Sequence, residues 1–264
     1  MDTLAQLDGW GAQALLLGLS ATRVAVAFLL LPLFSPDLVP PLVRNAIFLA
    51  LAALSLALQP LADVHAFHAL DWAKLFGKEV FLGAVVGLMF GSVLWAFDIA
   101  GQIIDLKTGA SLAQVVDPLS GHQTPLTAAF LSRLAGYVFM ASGGFLSLVG
   151  LLLQTYALWP VASMIPIPRT GSVILVEAEF GRLAALGLLV GAPAIVVLYL
   201  VELVFGLVNR YAQQLNVFAL SSAVKLLAAQ AVLLMMLGSL AQLVVDDIAR
   251  RTPMVLRTLH ALLR

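Results

Sequence analysis

Nine charged side chains, Arg23, Lys78, Glu79, Asp98, Asp105, Arg133, Glu202, Arg210 and Lys225, lie inside or at the edges of apolar runs. A charge at the bilayer centre costs roughly 2.5–3.5 kcal/mol on insertion scales, so these groups must be paired, hydrated or outside the lipid. Intramembrane carboxylates are also the groups that relay protons, and Asp98, Asp105 and Glu202, with Pro193 to break a helix near them, would suit a proton-coupled secondary transporter. Transporters of that class usually show related halves, and no repeat at a fixed period is visible here. Lys78 and Glu79 are adjacent and point to different faces of a helix, so separate partners are expected for them; Asp98 and Asp105 are two turns apart and share one face. The alternative is that each charge sits near an interface and snorkels.

Other chemistry is weaker. Ser222-Ala223-Val224-Lys225 matches the Ser-x-x-Lys of penicillin-binding enzymes and Lys107-Thr108-Gly109 their Lys-Thr-Gly, but the order is wrong and the Ser-Asp-Asn element is missing. An intramembrane hydrolase using Ser222 or Asp98 is therefore a distant alternative. His65 and His68 with Asp63 and Asp71 could ligate a metal, yet a solvated loop explains the same residues better. No cofactor or metal site is expected, no nucleotide-binding loop is present, and the absence of cysteine excludes disulfides and thiolate chemistry.

The stretch 106–125, LKTGASLAQVVDPLSGHQTP, is polar and sits between two long apolar runs. Backbone that is neither helix nor closed barrel is tolerated at membrane depth only where protein buries it or water surrounds it. It is thus an outside loop or a pore-side element. Asp117-Pro118 with Gly121 reads first as a turn.

The elements that must carry these residues are helices. The 264 residues are 62% hydrophobic and 11% charged, with a mean hydropathy of +1.04. A soluble domain carries about a quarter charged residues, so this is an integral membrane protein. Uncharged runs at 45–62, 80–97, 134–168, 183–201 and 226–245 approach or exceed the roughly 18 residues that span a bilayer, and 9–36 is broken only by Arg23. Strand-like alternation is missing, so the fold class is all-α. The spacing predicts helices over about 10–31, 42–58, 75–104, 126–158, 173–209 (kinked at Pro193) and 223–249, the last two forming a hairpin. The formal charge is zero, 14 basic against 14 acidic residues, so nucleic acid is not an expected partner. Asp2 and Asp8 stand where a signal peptide would be basic, so the first apolar run is expected to be retained. Arg250, Arg251, Arg257 and Arg264 place the C-terminus in the cytoplasm.

Gly83, Gly87 and Gly91 recur every four residues, and Gly187 with Gly191 repeats the spacing. Such stripes let helix backbones approach closely in lipid.

The residues also carry a resemblance. An Arg in the first apolar helix followed by PLFSPDLVPPLVRNA, GKEVFLGAVVGLMFG at 77–91, AFDIAGQIIDLKTGASLAQVVDPLSG at 96–121, FMASGGFLSLVG at 139–150 and YALWP at 156–160 together resemble the SctT (YscT-like) inner-membrane component of type III secretion, and less closely its flagellar counterpart FliR. Lys78-Glu79 and Ala-Ser-Gly-Gly lean toward the virulence-type member. The resemblance implies a non-enzymatic subunit of an export gate in the bacterial inner membrane. Its partners would be SctR-like, SctS-like, SctU-like and SctV-like subunits, the lipid bilayer and unfolded secreted substrates. It implies an R-like front part over about 1–172 and an S-like hairpin over about 173–264. By position, Gly109, Ala110, Ser111, Leu112, Ala113, Gln114, Val115, Val116, Asp117, Pro118, Leu119, Ser120, Gly121 and His122 would plug the closed pore. Arg23, Lys78, Glu79, Asp98, Asp105, Glu202 and Lys225 would be buried or pore-side charges, and Gly83, Gly87, Gly91, Gly187 and Gly191 packing positions.

Overall fold

Residues 2–34, 39–59, 68–109, 125–163, 172–211 and 217–263 are described by a computed structural model. Among them, the elements are α1 (Asp2–Leu29), a 3-10 turn (Pro32–Phe34), α2 (Pro41–Ala57), α3 (Ala69–Thr108), α4 (Leu126–Ala141), α5 (Gly144–Leu158), α6 (Ser172–Tyr211) and α7 (Val217–Leu263). The chain is all-α, with no strand among the described residues. The stretches 70–108, 177–211 and 220–257 are each long and apolar enough to cross a membrane. At 1.5 Å per residue, the 39 residues of the first reach about 58 Å, nearly twice the hydrocarbon thickness.

Several boundaries differ from the sequence expectation: α3 runs over Ala69–Thr108 rather than 75–104, and α7 starts at Val217 rather than near residue 223. The helix expected over 126–158 is broken, because Gly143 takes φ +81 and starts α5 afresh. Glycine reaches this left-handed region at little cost. The last helix does not end near residue 249 but continues through Pro253 to Leu263. Tertiary packing overrides the proline: Arg251 and Val255 are fully buried there. At the other end, α1 begins at Asp2, well before Trp10. Helix continues through Pro193 in α6.

Two compact units interleave along the chain: residues 1–91, 143–178 and 250–264 form one, and 92–142 with 179–249 the other. In the first, the core gathers Val24, Ala27, Phe28, Phe34, Phe48, Ala52, Leu82, Val86, Leu151 and Tyr156. Phe28 is its aromatic centre, edge-on to Phe34 at 4.8 Å and stacked on Phe48 at 5.7 Å. Gly83 and Gly87 dock α3 on α1: a methyl group on them would meet the Arg23 carbonyl at 2.5 Å and the Ala27 carbonyl at 2.6 Å.

In the second unit, the C-terminal half of α3 is the centre. Val93, Leu94, Ala96, Phe97, Ala100 and Ile104 are buried. Gly187 of α6 faces the Ala96 carbonyl and Gly191 the Cα of Ala100, at 3.3 and 3.8 Å from where a methyl would stand. Leu183, Gly187, Val190, Gly191, Ala194 and Leu198 give α6 a single buried stripe, and Leu188, Val196, Leu200, Leu203 and Leu207 stay exposed. In the most apolar stretch of α3, 72% of residues are buried, against 22% in α6 and α7. Surface as apolar as that of α6 and α7 is suited to lipid or to another subunit.

Candidate functional site: the flanks of residues 110–124

Asp105 lies on α3 one turn before Gly109 and is 1% exposed. Its Oδ2 accepts N–H bonds from Thr127 and Ala128, both at 3.0 Å, and its Oδ1 accepts from Thr127 at 3.2 Å. These amides belong to the first turn of α4, whose N–H groups have no partner within their own helix. The N-cap residue, Pro125, offers no side-chain acceptor. Asp105 therefore supplies the cap from another helix, with its negative charge at the positive end of the α4 dipole. Such an approach requires Gly101, because a methyl group there would overlap the backbone of Ala128. The bonded residues are 22 positions apart in sequence, so this contact closes a long excursion of the chain.

The other flank is Gly109, which ends α3 with φ +79 and donates its N–H to the Leu106 carbonyl at 3.3 Å. A methyl group on it would lie 3.7 Å from Ser222 Oγ of α7. Gln230, also on α7, donates from Nε2 to Thr127 Oγ1 at 3.2 Å. Of the fourteen residues expected to form a plug, Gly109 is described; residues 110–122 lie outside the described residues.

Around these flanks the charges are matched locally. Lys225 Nζ bonds Glu202 Oε1 at 2.7 Å, linking α7 to α6 on a partly exposed face. Lys107 Nζ lies 4.4 Å above the Tyr199 ring. Ser222 and Gly109 do come together, but the Lys225 ammonium is held by a carboxylate, an arrangement unlike a serine nucleophile with its lysine base. Asp98 shares a face with Asp105 but not its surroundings: it is half-buried and accepts from Gln102 Nε2 at 2.7 Å. Arg133 and Arg210 are exposed. Elsewhere in the same unit, buried Glu179 accepts from Ser92 Oγ at 2.8 Å and lies 3.8 Å from Arg182, which also pairs with Asp247.

The first unit holds a separate buried cluster. Arg23 grips Glu79 bidentately, Nε to Oε2 at 2.7 Å and Nη2 to Oε1 at 2.9 Å. It also donates to Thr155 Oγ1 and the Trp159 carbonyl, at 3.1 and 3.0 Å, and stacks 4.0 Å from the Tyr156 ring centre. Tyr156 in turn donates to the Ser20 carbonyl at 2.6 Å. Contrary to the expectation of separate partners, Lys78 and Glu79 meet, Nζ to Oε1 at 3.1 Å. The lysine stem is long enough to turn back, because the carbonyls of Pro160, Val161 and Ser163 receive the ammonium at 2.8–2.9 Å. Arg23, Lys78 and Glu79 are thus neither snorkelling nor unpaired.

Sequence reasoning named Asp105, Arg23, Lys78 and Glu79 but missed Gly101, Thr127, Gln230 and the Glu179–Arg182–Asp247 group. A partial signal existed only for Glu179 and Arg182, three apart on one helix face. Asp63 and His65 lie outside the described residues; His68 is exposed and its backbone N–H donates to Asp71 Oδ2 at 3.1 Å.

Comparison with known proteins accounts for most of the chain. The family described as Bacterial export proteins, family 1, matches residues 14–250. Yop proteins translocation protein T of Yersinia pestis is 33% identical over 207 residues, covering 77% of this chain and 78% of that protein. Surface presentation of antigens protein SpaR of Salmonella typhimurium is 31% identical over 220 residues, 83% and 81% of the two chains. Flagellar biosynthetic protein FliR of Bacillus subtilis is 30% identical over 250 residues, 91% and 92%. With its lipid-length helices and all-α fold, the chain belongs to bacterial export protein family 1, the SctT/FliR family of type III export components.

Proposed function

We propose that this chain is a structural and gating subunit of a type III export gate, through which unfolded proteins cross the bacterial inner membrane. SctR-like and SctS-like subunits would complete the pore, with SctU-like and SctV-like subunits beside it. The observation that carries the reading is the capping of α4 by Asp105, which ties both flanks of residues 110–124 to one turn of α3. A segment that closes a pore needs such fixed ends. Family membership and the exposed apolar faces of α6 and α7 support the assembly. The arginines from 250 onward favour a cytoplasmic C-terminus.

On this reading the chain is not an enzyme, and the energy for export comes from other subunits. The division into an R-like part to about residue 172 and an S-like hairpin beyond it is part of the same proposal. Proton-coupled transport gains no support from two of the three carboxylates considered for it, because Asp105 caps a helix and Glu202 bonds Lys225. Deleting residues 110–120 should leave the complex with SctR-like and SctS-like partners assembled while making the membrane permeable to ions. Normal permeability in an assembled deletion mutant would overturn the plug assignment.

A further inference from the structure

Two ends of a polar segment are seated on the same helix pair, and one side chain holds the downstream end. Thr127 and Ala128 are buried, and the N-cap residue Pro125 offers their amides no side-chain acceptor. Their acceptor is Asp105, brought into range by the missing side chain at Gly101. α7 touches both flanks through one face: Ser222 stands against Gly109, and Gln230, eight residues and just over two turns later, bonds Thr127.

Resting on the gate reading, we infer that Asp105 is the positioning residue of the gate. Its carboxylate keeps the start of α4 seated on α3, and Gln230 extends that seat to α7. Without the carboxylate, two buried N–H groups lose a charge-assisted acceptor, and the start of α4 is free to move toward water. Loss of a hydrogen bond to a charged group shifts such an equilibrium about 10- to 100-fold toward the released state. The carboxylate thus sets what fraction of the time the downstream flank is off its seat, a role separate from holding the subunit in the complex.

The test measures potassium efflux per assembled complex, in membranes where this chain is co-expressed with SctR-like and SctS-like partners and the complex is counted by mass. Asp105→Ala should raise efflux about tenfold or more, Asp105→Asn less because its carbonyl oxygen still accepts, and Gln230→Leu least. Adding Asp105→Ala to the deletion of 110–120 should give no further leak. If the alanine variant fails to assemble, Asp105→Asn and Gln230→Leu carry the same test. Wild-type efflux per complex in these variants, beside a leaky deletion mutant, would show Asp105 to be merely structural and overturn the inference. A deletion mutant that does not leak would overturn the gate reading itself, and this inference with it.

Discussion

Replacing Glu79 by glutamine tests whether the buried cluster is held by charge or by shape. The carboxylate takes two bonds from Arg23, at 2.7 and 2.9 Å, and one from Lys78 at 3.1 Å. Arg23 and Glu79 are 0% exposed and Lys78 is 2% exposed. The substitution preserves volume but leaves two buried cations facing a neutral amide, whose NH2 group must oppose a donor. One unit-charge pair at about 4 Å contributes roughly 4 kcal/mol at an effective dielectric of about 20, so two lost pairs come to roughly 8 kcal/mol gross. Relief of Glu79 desolvation, several kcal/mol, offsets part of this, which leaves the roughly 3–5 kcal/mol typical of breaking a buried pair from one side. Lys78→Met removes only one of the two pairs and keeps the bidentate Arg23–Glu79 contact, but it also deprives the carbonyls of Pro160, Val161 and Ser163 of a donor, at about 1–3 kcal/mol for each one left buried, so it destabilises as well. Thermal unfolding of the purified protein in detergent, at about 2–4 °C per kcal/mol, should show a fall of about 6–20 °C for Glu79→Gln. A Glu79→Gln midpoint equal to wild type would refute the argument that the anion organises the site.

Two further outcomes follow from the same geometry. Gly87→Ala places a methyl group 2.6 Å from the Ala27 carbonyl and should destabilise by about 1–3 kcal/mol, whereas Gly77→Ala meets nothing within 4 Å and should be neutral or stabilise by up to about 1 kcal/mol; unfolding midpoints of the two variants compare them directly. Glu202→Gln breaks a pair whose carboxylate side chain is 46% exposed, so the loss should stay below about 1 kcal/mol and shrink with added salt in the same assay.

The features legible in the sequence are those that repeat along one helix. Gly83 and Gly87 announce their groove by a spacing of one turn, and the groove holds α1. The apolar runs announce the helices, because lipid-length segments leave few alternatives. The features that were not legible depend on distant partners. Asp105 reads as one more intramembrane acid until the start of α4 arrives from 22 residues away. Lys78 and Glu79 were assigned to different faces by helical geometry, which holds for Cβ atoms but not for a lysine ammonium drawn back by carbonyls at 160–163. Gly143 read as one more glycine of an apolar helix; its left-handed φ, which ends the helix, leaves no periodic trace.

The Arg23 cluster also constrains how the protein is made. Arg23 emerges from the ribosome 56 residues before Glu79 and 136 before the Trp159 carbonyl. At about 5–20 residues per second, it waits roughly 3–11 s for its carboxylate and about 7–27 s for the last acceptor. During that interval α1 carries an unmatched guanidinium, whose presence at the bilayer centre costs roughly 2.5–3.5 kcal/mol. Nascent α1 should therefore linger at the membrane surface or beside the insertion machinery and enter lipid together with α3, so that membrane integration of this subunit is a joint insertion of paired helices rather than a strictly sequential threading.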